Sequence, residues 1–314
     1  MVRRQSITVS SFAPDVPDWV QDRAPLVARD MPRLRQLRPL RQLRAVAMRR
    51  RTRNIPYVAD FDPTSPSIAR VYDYFLGGRD NFAADRELAQ RLIDIFPPIP
   101  VTVRENKQFL DRAVTWMAGQ GIGQFIDVGC GLPTTPSTHG SARVHDPGAR
   151  VAYVDIDPIV LSHLRGLPSR EQVGLTIVDG DVRDADAVLA AISACLDLSA
   201  PTCLVMAALL HFFPVETGRE LVGRYAAALA PGSYVMLTMG LADGAAADRF
   251  FDLYSKGPAP LYKHSAEDFA SFFGDLPLLP PGVADARSWR PGWPMVSVPP
   301  KLEAEMIVGV AQVP

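Results

Sequence analysis

The sequence predicts an α/β protein: a doubly wound, mostly parallel sheet preceded by a helical segment. Three observations carry this. Five short β-branched runs, at 124–128, 151–155, 174–178, 202–207 and 233–239, alternate with helical stretches, and strands joined through helices pair in parallel. Three helical patterns precede the first run with no strand among them. A last apolar run, 305–313, follows a Pro-rich stretch without a helix before it, so it can pair antiparallel at the sheet.

The first helix is expected from Ser65, with Ser65 as N-cap and Pro66 in the first turn. Ile68, Val71, Tyr72, Phe75 and Leu76 then form an i, i+3, i+4 stripe that Gly77-Gly78 ends. The second runs over about 82–95 and stops at Phe96-Pro97-Pro98. The third covers about 101–118. Between the strands, helices fit 136–146, 158–166, 184–197 and 215–230, with two more at 243–255 and 265–274.

Composition narrows the classes. With 314 residues, 47% hydrophobic and 8% aromatic, the chain can bury a large core, which excludes wholesale disorder. The net charge of −1 conceals a split. Residues 1–53 hold thirteen Arg against four Asp, a net +9, and residues 54–314 carry −10. Residues 31–53 contain nine Arg and no acid, and Leu34, Leu37, Leu40 and Leu43 recur at a period of three that drifts around a helix. Residues 1–57 are therefore expected to be an Arg/Pro-rich, disordered tail or the product of a start assigned too far upstream; the sharper alternative is a basic arm for nucleic acid or acidic lipid. The domain proper is placed at 58–314, with a helical cap over 58–120 and the core over 121–314. The longest apolar run, Cys203–Leu210, is far short of the ~20 residues of a membrane span. Cys130, Cys195 and Cys203 form no C-x-x-C pair, which fits reduced thiols and a cytoplasmic setting. The five histidines show no metal-ligand spacing, so no metal is expected.

The strongest local signal is Phe125-Ile126-Asp127-Val128-Gly129-Cys130-Gly131 at the end of the first strand. Gly129 and Gly131 permit a sharp turn and close approach to a ligand in the crevice at the strand ends. A dinucleotide site is the competitor. However, Thr134 stands where the third glycine of that fingerprint belongs, and Asp127 would repel a pyrophosphate while suiting an ammonium group. S-adenosylmethionine fits that description. Asp155 ends the second strand and is the candidate acceptor for both ribose hydroxyls, with Ile156 beside it and Asp157-Pro158 starting a helix. Asp181, at the third strand's end, is the candidate acceptor for the adenine amino group. The backbone of Val182 would meet a ring nitrogen, and Ile156 and Val182 would sandwich the ring. Any one of these aspartates also reads as a helix cap or solvated loop.

Asp127–Gly131, Asp155 and Asp181 resemble the first three motifs of class I S-adenosylmethionine-dependent methyltransferases. More narrowly, the chain resembles a bacterial S-adenosyl methyltransferase family formerly known only as a domain of unknown function. The resemblance rests on the run from Pro66 to Phe82, which includes Tyr72-Asp73-Tyr74-Phe75-Leu76-Gly77-Gly78-Arg79-Asp80-Asn81, on Val103–Leu110, on Gln124–Thr134 and on Trp289-Arg290-Pro291. It covers roughly 58–313. It implies a Rossmann-like, doubly wound, mostly parallel seven-stranded sheet under an N-terminal helical cap, with S-adenosyl-L-methionine as cofactor. Cys130 and Lys263-His264 depart from the family pattern, and residues 1–55 have no counterpart.

The resemblance also makes the Tyr72–Asn81 run a lid. Tyr74 and Gly77 would close on the cofactor, Tyr74 stacking on the sulfonium or meeting the substrate. Arg79 or Arg104 would pair with the methionine carboxylate. The bland readings are an Arg79–Asp80 surface pair and a core Tyr72. Ala207 ends the fourth strand, beside the transferred methyl. The stretch from Ala207 to Pro214 lacks the Asn/Asp-Pro-Pro-Tyr/Phe pattern of many nucleic-acid and protein N-methyltransferases. It is apolar with one His, which suits a small organic acceptor with His211 as base, or a His211 that only fixes a loop. Phe212, Phe213, Phe250, Phe251, Tyr254, Trp289 and Trp293 are candidate pocket or packing residues. The leading expectation is a small-molecule methyltransferase. The alternatives are a cofactor-binding regulator without turnover and a nucleotide-dependent oxidoreductase. Nucleic acid is a poor partner for a body at −10.

Overall fold

The computed structural model describes residues 62–257, 259–290 and 304–314. The expected tail at 1–57 and Trp293 lie outside the described residues. Three helices come first: α1 (Ile68–Leu76), α2 (Ala83–Ile95) and α3 (Ile99–Gly119). The strands β1 (Gln124–Val128), β2 (Arg150–Asp155), β3 (Leu175–Asp179), β4 (Cys203–Ala207) and β5 (Tyr234–Ala242) follow. Helices α4 (Thr138–Ala142), α5 (Pro158–Arg165), α6 (Ser169–Gln172), α7 (Ala185–Ser193) and α8 (Val215–Ala227) connect them. The chain closes with α9 (Ala245–Ser255), α10 (Ala266–Ser271), β6 (Ala284–Asp285) and β7 (Ala304–Gln312).

The seven strands form one mixed sheet, in the order β3-β2-β1-β4-β5-β7-β6. β1 to β5 are parallel, and β7 runs antiparallel to β5 over Tyr234↔Gln312 to Ala242↔Ala304. The final strand thus pairs antiparallel, as its arrival without a preceding helix implies. It lies inside the sheet, because the two-residue β6 takes the edge. β6 sits in the Pro-rich stretch, where two paired residues leave no periodic signal.

Alternate residues of each strand serve opposite helix layers, which is why the runs are apolar throughout. Ile126, Val128, Val154, Leu204 and Leu237 pack against α7, α8 and α10 through Val188, Ile192, Tyr225 and Phe269. Phe125, Val151, Tyr153, Val205 and Met236 pack against α3 and α5 through Phe109, Val114, Met117 and Leu164. A third cluster joins α1 and α2 to α9 through Val71, Phe75, Leu92, Phe250 and Tyr254. This redraws the helical cap: most of α3's apolar face covers the sheet, and α9, from far along the chain, packs with α1 and α2.

Helix α1 starts later than Ser65. Its N-cap is Ser67, whose side chain makes no capping bond. Pro66 disfavours helical backbone at Ser65. The Ser67 N–H donates to Asp85 (2.9 Å) and its hydroxyl to Asp157 (2.6 Å). Arg70 and Asp85, both buried, pair at 2.7 Å, and Arg70 also donates to the Ser65 carbonyl. Among the described residues no helix is long and apolar enough to cross a membrane.

Candidate active site

β1 lies between β2 and β4, where the strand order reverses and open α/β sheets form a ligand crevice. A cavity of roughly 730 Å³ opens there. Gly129 and Gly131 turn the chain at φ +65° and +66°, in the left-handed region. The Gly129 N–H donates to the Val154 carbonyl at 2.8 Å, tying the turn to β2. A Cβ at Gly129 would lie 2.8 Å from Cδ1 of Leu209 and would displace the end of that side chain.

Asp155 accepts the Gly131 N–H on Oδ2 and the Asp157 N–H on Oδ1, both at 2.9 Å. Burial pushes its carboxyl above the ordinary range, and these backbone bonds oppose the shift. Cys130 Sγ lies 3.8 Å from Asp155 Oδ2, and burial pushes that thiol well up. Asp127 is buried in β1 and accepts the Thr138 hydroxyl at 2.5 Å. Burial raises its carboxyl too, against the pull of Thr138 and the nearby Lys107. Asp157 caps α5 through the Ile159 N–H and holds the Ser67 hydroxyl, which links the strand tips to α1. Asp181 is chelated by Arg183, whose Nε lies 2.9 Å from both carboxylate oxygens; that bond holds its carboxyl below the ordinary range. The Val182 carbonyl accepts the Tyr225 hydroxyl at 3.1 Å. Ile156 remains 61% exposed at the cavity rim, an apolar surface for a flat ring.

At the end of β4, Ala207 lines the cavity and Ala208 adopts φ +49°. Two bonds from its N–H to Thr238 hold that conformation and turn Leu209 inward. Strain of this kind concentrates at functional sites.

The structure gathers Asp127, Gly129, Cys130, Gly131, Asp155, Ile156, Asp157, Asp181, Val182 and Ala207 around this cavity. It does not bring the remaining expected site residues there. Tyr74, Gly77, Arg79, Arg104 and His211 lie off its lining. The physical reason is helix phase. α1 presents Ala69, Tyr72, Asp73 and Leu76 to the cavity, and Tyr74, two residues beyond Tyr72, faces Gln90 at 3.3 Å. α3 presents Asn106, Lys107 and Leu110, while Arg104 points to solvent. In the 3₁₀ turn Leu210–Phe212, it is Phe212, followed by Phe213, that faces the cavity. Burial and His264 push the His211 imidazole down to about 3, so it is neutral at physiological pH.

Two glycines that turn the chain in the left-handed region, with carboxylates near successive strand tips, define a class of ligand rather than a reaction. Homology supplies the reaction: the S-adenosyl methyltransferase family profile matches residues 56–314. The chain belongs to the S-adenosyl methyltransferase family. Two solved structures are similar over nearly their whole length. A protein of Thermobifida fusca assigned as a methyltransferase shares 35% identity at a TM-score of 0.73, covering 81% of this chain and 96% of its own. A DUF574 family protein of Streptomyces avermitilis shares 32% identity at 0.75, covering 81% and 99%. No curated protein matches the chain.

The residues of this S-adenosyl methyltransferase fit its cofactor. Six aspartates line the cavity against the cations Arg70, Lys107 and Arg183, a balance suited to a ligand carrying sulfonium and ammonium groups. Sequence reasoning missed Asp73, Asn106, Lys107 and Leu209 as cavity residues. A signal existed for α3: Val103, Asn106, Lys107 and Leu110 stand at i, i+3, i+4 and i+7, one face of a helix.

Proposed function

We propose that this methyltransferase acts on a small organic acceptor bound between the strand tips and α1. The observation that carries the reading is the character of the wall beyond the cofactor motifs. Leu76, Leu209, Phe212, Phe213 and Pro260 make it apolar. The cavity volume falls within the roughly 300–1,000 Å³ of small-molecule sites. Absence of the Asn/Asp-Pro-Pro-Tyr/Phe pattern at 207–214 points the same way.

The cofactor supplies a methyl group already activated by the sulfonium. The chain must then position the acceptor, exclude water and take up a proton if the acceptor is neutral. Gly129 and Gly131 would let the backbone approach the cofactor, Asp155 would accept its ribose hydroxyls, and Ile156, Val182 and Asp181 would hold its adenine. Leu209, Phe212 and Phe213 keep water from the acceptor. Asp73 is the group we assign to proton uptake, in place of His211 and Tyr74. It lines the cavity, its Oδ2 is held by the Asp80 N–H (3.0 Å) and by Asn81 (2.8 Å), and burial raises its basicity. His211 is off the cavity and weakly basic.

The test incubates the protein with methyl-labelled S-adenosylmethionine and separate panels of small phenols, amines and carboxylic acids, transfer RNA, DNA and protein. Label should enter a small molecule alone. Label entering nucleic acid or protein, with none in small molecules, contradicts the proposal. Asp73→Asn should abolish transfer to that acceptor while leaving cofactor binding intact.

A further inference from the structure

Helix α3 presents to the cofactor cavity a cation for which the three strand-tip motifs provide no role. Lys107 is half-buried in the cavity wall and, among the described residues, makes no hydrogen bond or ion pair. The other cations of the wall are committed: Arg70 to Asp85 and Arg183 to Asp181. The acidic group facing Lys107 is Asp127 in β1, with the neutral Cys130 thiol beside it. Its neighbour Asn106 is 1% exposed and donates from Nδ2 to the Tyr72 hydroxyl at 2.9 Å. Asn106 Oδ1 is buried without a partner. A buried acceptor left unmatched costs free energy that a ligand donor would recover.

This part of the cavity therefore holds a cation beside an anion, with the unmatched acceptor buried behind them. The complementary ligand is a zwitterion with adjacent negative and positive groups, which describes the α-amino-acid end of S-adenosylmethionine. We infer that Lys107 receives the α-carboxylate of the cofactor's amino-acid tail while Asp127 faces its α-ammonium, so the site selects ligands with an intact carboxylate. The inference rests on the cofactor assignment. It replaces Arg79 and Arg104 in this role, since both lie off the cavity.

Calorimetric titration of the full chain with S-adenosylmethionine and with decarboxylated S-adenosylmethionine isolates the carboxylate. The wild-type protein should prefer the intact cofactor by roughly tenfold to a hundredfold, the range for a charged hydrogen bond. Lys107→Met should erase that preference by weakening the intact cofactor alone, and Lys107→Arg should restore most of it. Circular dichroism checks folding, and Lys107→Gln carries the comparison if Lys107→Met does not fold. Equal wild-type affinity for both ligands overturns the inference. So does equal weakening of both by Lys107→Met, or a preference that survives Lys107→Met and vanishes in Arg104→Ala or Arg79→Ala. Failure of the wild-type protein to bind either ligand removes the cofactor assignment beneath it.

Discussion

The cavity has two walls built on different physics. On the strand-tip wall, the groups that line the cavity are backbone turns and carboxylates at the ends of hydrogen-bonded strands. Sheet register sets Asp127 opposite Tyr153 and Asp155 opposite Asp179, so the neighbouring ends of β1, β2 and β3 bring Asp127, Asp155 and, just beyond β3, Asp181 to one crevice, and hydrogen bonds hold their carboxylates. On the helical wall, the groups are side chains of α1 and α3, and their direction depends on helix phase. A shift of two residues along α1 moves a side chain from the cavity to the far side of the helix, as Tyr72 and Tyr74 show. The first wall is pre-organised by the sheet. The second is held by a few polar ties: the Arg70–Asp85 pair and the Ser67–Asp157 bond.

The largest expected effect breaks the second wall at its anchor. Arg70→Met leaves Asp85 buried without its ion-pair partner and should destabilise the protein by about 3–5 kcal/mol. A denaturant titration measures this, and a loss below about 1 kcal/mol would show that the pair does not hold the helices. Gly129→Val attacks the first wall. It forces a β-branched residue to φ +65° and into Leu209, so cofactor affinity should fall by at least about a hundredfold in calorimetry. Asp155→Ala removes the carboxylate proposed to accept the ribose hydroxyls and should cost roughly tenfold to a hundredfold in the same measurement.

Acidity gives a further test of the strand-tip wall. Burial raises the Asp127 and Asp155 carboxyls, so each keeps its proton to a higher pH than a free carboxylate would. A cationic ligand favours their ionised forms, and binding should release protons. Affinity should therefore fall on acidification, with a midpoint above the ordinary carboxylate value of about 3.9. Titrations between pH 4 and 8 should show that fall, and an affinity unchanged across this range would contradict it. The smallest effects are expected from Tyr74→Phe, Arg79→Ala and His211→Asn, each within about twofold in cofactor affinity. A tenfold loss in any of them would return these positions to the site.

This contrast explains what the sequence disclosed. The five parallel strands, the closing antiparallel strand and most helices follow from periodicity and from β-branched runs. The strand-tip residues follow because each stands at a position where a strand must end and a turn must begin. Asp127 and Asp155 could be placed without knowing what packs opposite them. The helical residues could not. Tyr74, Gly77 and Arg79 stand in the same specific run as Tyr72, Asp73 and Leu76, and only the packing of α1 on α2 and α9 decides which face meets the cavity. Lys107 had a helical phase signal, but the basic residue Arg104, on the same helix, drew the carboxylate role. His211 lay one residue from Phe212 in a turn too short for periodicity to orient.

The most direct measurement is a crystal structure with S-adenosylhomocysteine bound. The account predicts the ribose on Asp155, the adenine between Ile156 and Val182, the amino-acid tail between Gly129 and Lys107, and the sulfur facing Phe212 and Asp73. A ligand whose carboxylate sits on Arg79 or Arg104, or whose ribose avoids Asp155, would contradict it.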